Sequence, residues 1–475
     1  MTPQPRDAKP APGSAPGAGA EAPKEGLATR RAAYRALRRI RERQAYSPPV
    51  VQRALDTLPP RERGLAANLV YETLRWQGTL DWALGQVLTR PIGEVEDDLR
   101  DILRMGAWQL LYGRMPDRAV VDTSVALARG EVGERVAGFT NGVLRNLARR
   151  KDALPWPPTD DPRGLALATG SPVWVAERAI ARFGARAEAV LRASAVAPGL
   201  TLRAVARDGE DPGAVRDALV AELRAAGVDA SAGRWAPEAV RAPGADPMAL
   251  DAVRQGRATP QDESSMLVTR ALARALEEAG GGDRVADLCA GPGGKATHLA
   301  QLGLRVTATD VQDARAAMVA EQAVRLGLSE RVDALVRDAR SPDLSAATFD
   351  AVLVDAPCSG LGVTRRRPEV AWRREPEDPA RLSGLQLEIL GAAAALVRPG
   401  GVLLYSVCTW PAEETAGTAA GFLAVEGDRF TALDPATLLP EGAGTRLPGD
   451  PGVQLDPDHD GTDGMYVCGF RRLRG

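Results

Sequence analysis

Two cysteines stand among turn formers and hydroxyl residues: Cys358 in DAPCSG (355–360) and Cys408 in YSVCTW (405–410). Each follows an apolar run, FDAVLV or GVLL, and so falls just past the end of an expected strand. A thiolate there can add covalently to an electrophilic carbon. An ordinary cysteine, with a pKa of about 8.5, is only a few per cent thiolate at neutral pH, so the surroundings must assist. Position beside a strand end does not decide which of the two would attack. Cys468 in MYVCGF reads as a small hydrophobe, a role that also suits Cys289. Four cysteines at these wide spacings make neither a disulfide framework nor a CxxC metal site. Two histidines, His298 and His459, leave a histidine-ligated metal or a Ser-His-Asp triad without material, and no metal is expected.

A second set of residues could hold a cofactor. DLCAGPGGKATH (287–298) ends a strand at Leu288, turns on Gly291, Gly293 and Gly294, and opens a helix. Such a turn brings a ligand against backbone amides and the positive end of a helix. Cys289 and Ala296 break the GxxxxGK[ST] pattern of a nucleoside-triphosphate loop, whereas GxGxxA leaves a nicotinamide cofactor open. Asp310 closes the next strand about twenty residues on, where a carboxylate accepts the hydroxyls of an adenosine ribose. Asp338 ends the third, where the adenine edge would lie. Singly each acid reads as a turn residue or helix cap, but three at successive strand ends, with Asp355 as the third acid-bearing turn beside the thiols, favour the ribose–adenine reading.

These residues require a parallel sheet to gather them. From residue 261 to 475 the apolar runs VADLCA, VTATD, VDALV, FDAVLVDAP and GVLLYSVCT alternate with helical stretches starting near Gly294, Asp313, Pro379 and Ala412. That alternation predicts a parallel sheet with both faces covered and ligands at the carboxyl ends of its strands. Residues 27–150 read instead as an all-α bundle. Ala33, Leu37 and Ile40 make one stripe, Leu99, Ile102, Leu103, Gly106, Leu110 and Leu111 a second, and Phe139, Val143 and Leu147 a third. Within it, 21 Arg face 14 Asp plus Glu, with seven arginines between Arg30 and Arg43, a balance that fits either a polyanionic partner or a solvated helix face. The proline-rich 153–164 is a linker, and 165–260 reads as a small α/β connector. Residues 1–26 read as a disordered tail without a secretory core, and no run of about 18 apolar residues is present, so a cytoplasmic chain is expected.

DLCAGPGGKAT, ATD, RDA, VDAPCSG and YSVCT, in this order, resemble the Nol/Nop/Sun family of RNA cytosine-5 methyltransferases. QDESSMLV (261–268) resembles the entry to that catalytic domain, LGVTRRRPEVAWR (361–373) its arginine-rich RNA-contacting loop, and DGTDGMYVCGF (460–470) its last strand. The helical part, through its layout and TNGVLRNLAR (140–149), is similar to the NusB RNA-binding fold. The resemblance implies a multidomain chain: an all-α NusB-like N-terminal bundle, the connector, and a C-terminal Rossmann-like class I methyltransferase that uses S-adenosylmethionine. It implies Cys408 as the nucleophile that adds to carbon 6 of a cytosine, Cys358 as the thiol associated with product release, and Asp355 beside both base and cofactor. Cofactor contacts fall on Cys289, Ala290, Gly291, Pro292, Gly293, Gly294, Lys295, Asp310, Asp338 and Asp355. Lys295 contacts the base or steadies the loop. The implied partner is RNA, 16S ribosomal RNA or a small-subunit assembly intermediate, read by a monomer with no membrane attachment. Transfer RNA, a noncatalytic RNA-binding or antitermination module, and a nicotinamide oxidoreductase are the competing readings; the last leaves both thiols unexplained. The sequence departs from the family at Gly291 (usually Ala), Arg367 (His or Asn in many relatives) and Thr415 (usually Asn).

Overall fold

The computed structural model describes residues 26–474; the expected tail, apart from Gly26, lies outside them. The chain falls into two compact units. Unit 1 runs up to Ala195 and also takes in Arg366–Arg373; unit 2 holds Val196–Arg365 and Arg374 onward.

Unit 1 is helical: α1 (Leu27–Arg43), α2 (Ser47–Leu55), α3 (Pro60–Arg75), α4 (Gln77–Gly85), α5 (Asp97–Tyr112), α6 (Asp117–Glu131), α7 (Ala137–Arg150), α8 (Pro162–Thr169), α9 (Val173–Phe183) and α10 (Ala187–Ser194). The 3.6-residue stripes become its core, with Ala33, Leu37, Ile40, Leu99, Ile102, Leu103, Leu110, Val143 and Leu147 all buried. Gly106 admits the close approach of α7, because a Cβ there would meet Leu144 Cδ1 at 2.8 Å. Helices α8 to α10 belong to this unit, as where Thr79 Oγ1 donates to the Leu167 carbonyl at 2.7 Å. The stretch 165–260 is therefore not one connector. Apolar stripes on α8–α10 bury Leu165, Val175, Ala179 and Leu191, with these helices packed on one another and α8 against α4, and the break comes at Ala195.

Unit 2 opens with a small antiparallel sheet: β1 (Leu200–Ala204), α11 (Pro212–Ala225), β2 (Ser231–Ala232), β3 (Ala239–Ala242), α12 (Asp251–Arg254) and β4 (Ala258–Pro260), in the order β2-β3-β1-β4. Asp211 caps α11 by accepting the Ala214 amide at 2.7 Å. Then come α13 (Glu263–Glu278), β5 (Arg284–Asp287), α14 (Gly294–Gln301), β6 (Arg305–Asp310), α15 (Asp313–Arg325), β7 (Val332–Val336) and β8 (Phe349–Asp355). The short α16 (Glu369–Arg373) lies in unit 1, followed in unit 2 by α17 (Asp378–Leu396), β9 (Val397–Val407), α18 (Ala416–Glu426), β10 (Phe430–Ala432), α19 (Pro435–Leu438), β11 (Val453–Leu455) and β12 (Met465–Arg472). The large sheet runs β10-β12-β9-β8-β5-β6-β7, with β11 beside β12. The five strands β9 to β7 are parallel; β12 and β10 run antiparallel, so the sheet is mixed and not wholly parallel. β12 follows β11 and crosses beside β9 in reverse, which a parallel reading of the apolar runs alone does not anticipate.

A polar cluster with Arg203, Glu238, Thr297 and His298 fully buried joins the two sheets of unit 2. Glu238, just before β3, lies 2.7 Å from His298 Nε2 on α14 and pairs with Arg270 on α13. Arg203 on β1 donates to Thr297 Oγ1 at 2.9 Å, and Gln301 on α14 donates to the Ala204 carbonyl at 3.0 Å. Burial, then the charge of Arg203, bring the His298 pKa down to about 4 against the pull of Glu238. His298 is thus neutral inside, whereas an unfolded histidine takes up a proton near pH 6.5. Stability from this group is complete above pH 6.5 and drains as pH falls from 6.5 to about 4. Urea midpoints measured across that window should fall for the wild type and fall less for His298→Gln. Glu238→Ala, which strands Arg203 and Arg270, should cost about 3–5 kcal/mol in the same assay at pH 7; an unchanged midpoint would contradict the pairing.

Candidate active site

The strand order reverses between β5 and β8, where βα units wind away in opposite directions and a crevice opens at the carboxyl ends. Four chemistry-bearing turns leave the sheet there: Asp287–Gly294 after β5, Asp310 at the end of β6, Asp355–Gly360 after β8 and Cys408–Pro411 after β9.

The β5 turn is held by its own backbone. The Gly293 amide donates to the Ala290 carbonyl at 2.7 Å, and the Ala290 amide to the Thr309 carbonyl at 2.8 Å. Gly293 has φ +107°, and a Cβ on it would meet Val319 Cα at 3.0 Å, so both conformation and space require glycine. At Gly291 a Cβ would stand 2.5 Å from Asp310 Oδ2. The Gly291 amide instead donates to that oxygen at 3.2 Å, while Asp310 Oδ1 accepts the Gln312 amide at 2.9 Å. The departure from alanine at 291 thus lets Asp310 lean onto the turn.

Lys295, on the first turn of α14, places Nζ 2.7 Å from Asp355 Oδ2, and Ser406 Oγ donates to Asp355 Oδ1 at 2.8 Å. Burial opposes the Lys295 charge, but the charge and hydrogen bond of Asp355, with Cys408 and Asp287 nearby, lift its pKa above the ordinary lysine value. Asp287 is fully buried at the end of β5. Burial, reinforced by the Asp355 charge and relieved by Lys295, raises it to about 7.

The two thiols meet. Cys358 Sγ and Cys408 Sγ are 3.3 Å apart, both half-buried and unbridged. The hydrogen bond to Cys408, followed by burial, holds the Cys358 pKa well above the ordinary thiol value, so at neutral pH it is a proton donor. The turns that carry them are pinned to each other. Ser359 Oγ and Thr409 Oγ1 are 2.7 Å apart, and the Gly362 amide donates to the Cys408 carbonyl at 3.1 Å. Thr415, at the family's asparagine position, closes its turn on the Pro411 carbonyl at 2.9 Å. Cys468 is buried and Cys289 half-buried, and desolvation raises both thiols.

Cys358, Cys408, Lys295 and Asp355 thus come together, as do Gly291 and Asp310. Asp338 does not join either group: two residues past β7, its carboxylate is gripped by Arg340, with Nη2 at 2.6 Å, and that hydrogen bond draws its pKa down to about 2. The arginine-rich loop is largely spoken for. Arg365 is buried on Asp463 at 2.6 Å, and Arg374 donates to the Ser359 and Cys358 carbonyls at 2.9 and 3.2 Å. Arg373, within unit 1, donates to the carbonyls of Ile40, Gln44 and Ala45. Arg367 is exposed, 4.9 Å from the Tyr46 ring centre. On α1, Arg31, Arg35, Arg38 and Arg41 pair with carboxylates and Arg30 is buried on Gln109, so among the described residues only Arg39 and Arg43 of the seven lack such a partner. Asp287 and Ser406 are marked by sequence only as strand-end residues on the ligand side, with no role; Gln386 and Glu414 carry no such mark.

Among the described residues no helix is long and apolar enough to cross a membrane, and no group of three or more His, Cys, Asp and Glu could hold a metal ion. The family model described as "16S rRNA methyltransferase RsmB/F" matches residues 274–471, and the "NusB family" model matches 27–149. A Mycobacterium tuberculosis protein named as a methyltransferase is 41% identical over 461 residues, 94% of this chain and 96% of its own length. A Bacillus subtilis protein named "Probable ribosomal RNA small subunit methyltransferase B" is 33% identical over 93% of this chain and 98% of its own length. A crystal structure named PH0851 shares the fold over 94% of this chain and 98% of its own, with TM-score 0.78 at 23% identity. Helical and catalytic parts alike being matched along nearly their whole length, the chain belongs to the 16S rRNA methyltransferase RsmB/F family of S-adenosylmethionine-dependent RNA methyltransferases.

Proposed function

We propose that this protein methylates carbon 5 of a cytosine in 16S ribosomal RNA, through a covalent bond between Cys408 and carbon 6 of the base. The observation that carries the reading is the pair of sulfurs 3.3 Å apart beside the Lys295–Asp355 ion pair. The ribosomal substrate rests on the names of the full-length relatives.

The residues present suit an adenosyl cofactor. Each Asp310 oxygen accepts one backbone amide and keeps capacity for one further donor, as two ribose hydroxyls need. The turn from Cys289 to Lys295, through Ala290, Gly291, Pro292, Gly293 and Gly294, packs at Gly291 against Asp310 and so sets that carboxylate beside the backbone of the turn, and Asp338 offers remaining lone pairs to an adenine amino group. S-adenosylmethionine supplies a methyl group on a sulfonium, which an unactivated cytosine carbon 5 does not displace.

The chain's task is to make that carbon nucleophilic. Cys358 donates its S–H toward Cys408 and Lys295 adds positive charge, so an anion on the Cys408 sulfur is favoured. The Cys408 thiolate bonds to carbon 6, and the electron pair pushed to carbon 5 takes the methyl group. Asp355, fixed by Lys295 and Ser406, faces the amino edge and ring nitrogen of the base. A base, in water or in the crevice, then takes the carbon 5 proton, and the electron pair of that C–H bond returns to the ring and expels Cys408 as thiolate, with Cys358 assisting release. The base must leave its stack to reach the crevice, so a single-stranded or splayed nucleotide is the substrate.

Cys408→Ala should lose methyl transfer to background with labelled cofactor while cofactor affinity, read by calorimetry, stays within about twofold. Full activity in that variant would remove the nucleophile assignment. Cys358→Ala should accumulate a protein–RNA adduct that survives denaturing electrophoresis. Bisulfite sequencing of 16S ribosomal RNA from a deletion strain should show one cytosine losing its protection; an unchanged pattern would refute the substrate.

A further inference from the structure

Beyond the reacting groups lies a buried bracket around the Cys358 peptide. Glu414, in the turn before α18, is fully buried, and its Oε1 accepts the Ser359 amide at 2.7 Å and Gln386 Nε2 at 3.1 Å. Gln386, buried on α17, gives its other amide hydrogen to the Pro357 carbonyl at 3.0 Å. Arg374 takes the Cys358 and Ser359 carbonyls. Pro357 O, Cys358 O, Ser359 N and Ser359 O are thus all tied by three side chains from outside the loop. Glu414 is tied in turn: its carbonyl accepts the Tyr405 hydroxyl at 2.6 Å, from β9, the strand that carries Cys408. Burying a carboxylate is costly, and a residue serving packing alone would be better apolar.

We propose that Glu414 is a positioning residue that sets the Cys358 peptide so that its thiol faces the Cys408 sulfur. The geometry is specific. A carboxylate reaching from the turn after β9 to the amide after Cys358 fixes the spacing of the two cysteine turns, much as a brace fixes two beams. The Glu414 charge also stands among the influences keeping Cys358 a thiol, behind the Cys408 hydrogen bond and burial. The inference rests on the reading that Cys408 attacks and Cys358 releases the product.

Two measurements test it. The first needs neither RNA nor cofactor. Diamide removes two hydrogens from a facing thiol pair and is reduced to its hydrazine, closing a Cys358–Cys408 disulfide that peptide mapping detects. Closure should be about tenfold to hundredfold slower in Glu414→Ala than in wild type, and restored in Glu414→Gln, whose amide oxygen still accepts the Ser359 amide. Arg374→Ala, altering a partly exposed side chain, should slow closure in the same direction and supplies the answer if Glu414→Ala does not fold. In the second, Glu414→Ala should resolve a formed RNA adduct about tenfold more slowly than the wild type, with glutamine again restoring release. Closure at wild-type rate in both Glu414→Ala and Arg374→Ala, or no restoration by glutamine, overturns the proposal. An adduct missing from Cys358→Ala would count against the covalent chemistry instead, leaving the diamide result to judge Glu414.

Discussion

A single ammonium–carboxylate contact, Lys295 to Asp355 at 2.7 Å, ties the cofactor turn to the strand that carries the reacting loop. Placing two charges where water is scarce costs several kcal/mol per ion unless each finds its partner and its remaining hydrogen bonds. Here Asp355 is completed by Ser406 from β9, so one carboxylate joins α14, β8 and β9. The carboxyl ends of β8 and β9 and the start of α14 are thereby held in register by polar geometry that tolerates little sliding. The thiols, just beyond the ends of β8 and β9, inherit that register.

The same helix is fixed from its other side. Lys295 opens α14, and Thr297, His298 and Gln301 further along it bond to Arg203, Glu238 and Ala204 of the small antiparallel sheet. That sheet carries no chemistry of its own, yet it sets where Lys295 sits. A buried arginine with two nitrogens lacking partners, Arg203 Nε and Nη1, is an expensive way to make this joint. Its cost is consistent with a joint selected for placement, since hydrophobic packing would hold the sheet but not the azimuth of the helix.

Much of this was legible beforehand wherever a period or a backbone rule governs. The helical stripes of α1, α5 and α7 and the five parallel strands follow from side-chain periodicity, and the glycine turn follows from φ and space at Gly293. The gathering of Cys358, Cys408, Lys295 and Asp355 followed from strand ends meeting at one edge. Less was legible where distant partners decide. Glu414 and Gln386 look like ordinary helix residues until β9 and the Cys358 loop are folded against them. The reversed β12 depends on long-range pairing that no local run encodes, and the break at Ala195 depends on which apolar faces find each other.

For the arginines a count leaves both readings open, a polyanionic partner or a solvated face, and the reason is physical. Net charge sums over a segment, whereas a guanidinium acts within hydrogen-bond reach and presents five donors that acceptors compete to fill. Arg31, Arg35, Arg38 and Arg41 lie beside carboxylates supplied by α1, α5 and α6, so these guanidiniums are already engaged within the helical unit. The loop after Cys358 behaves likewise. Arg365 and Arg374 serve unit 2, Arg373 serves the helical carbonyls at the end of α1, and Glu369 beside it accepts both Ser47 N and Ser47 Oγ at the start of α2. A run that reads as one basic surface is instead divided among interior acceptors in both units, and Arg39, Arg43 and Arg367 keep the solvent access that a phosphate backbone requires.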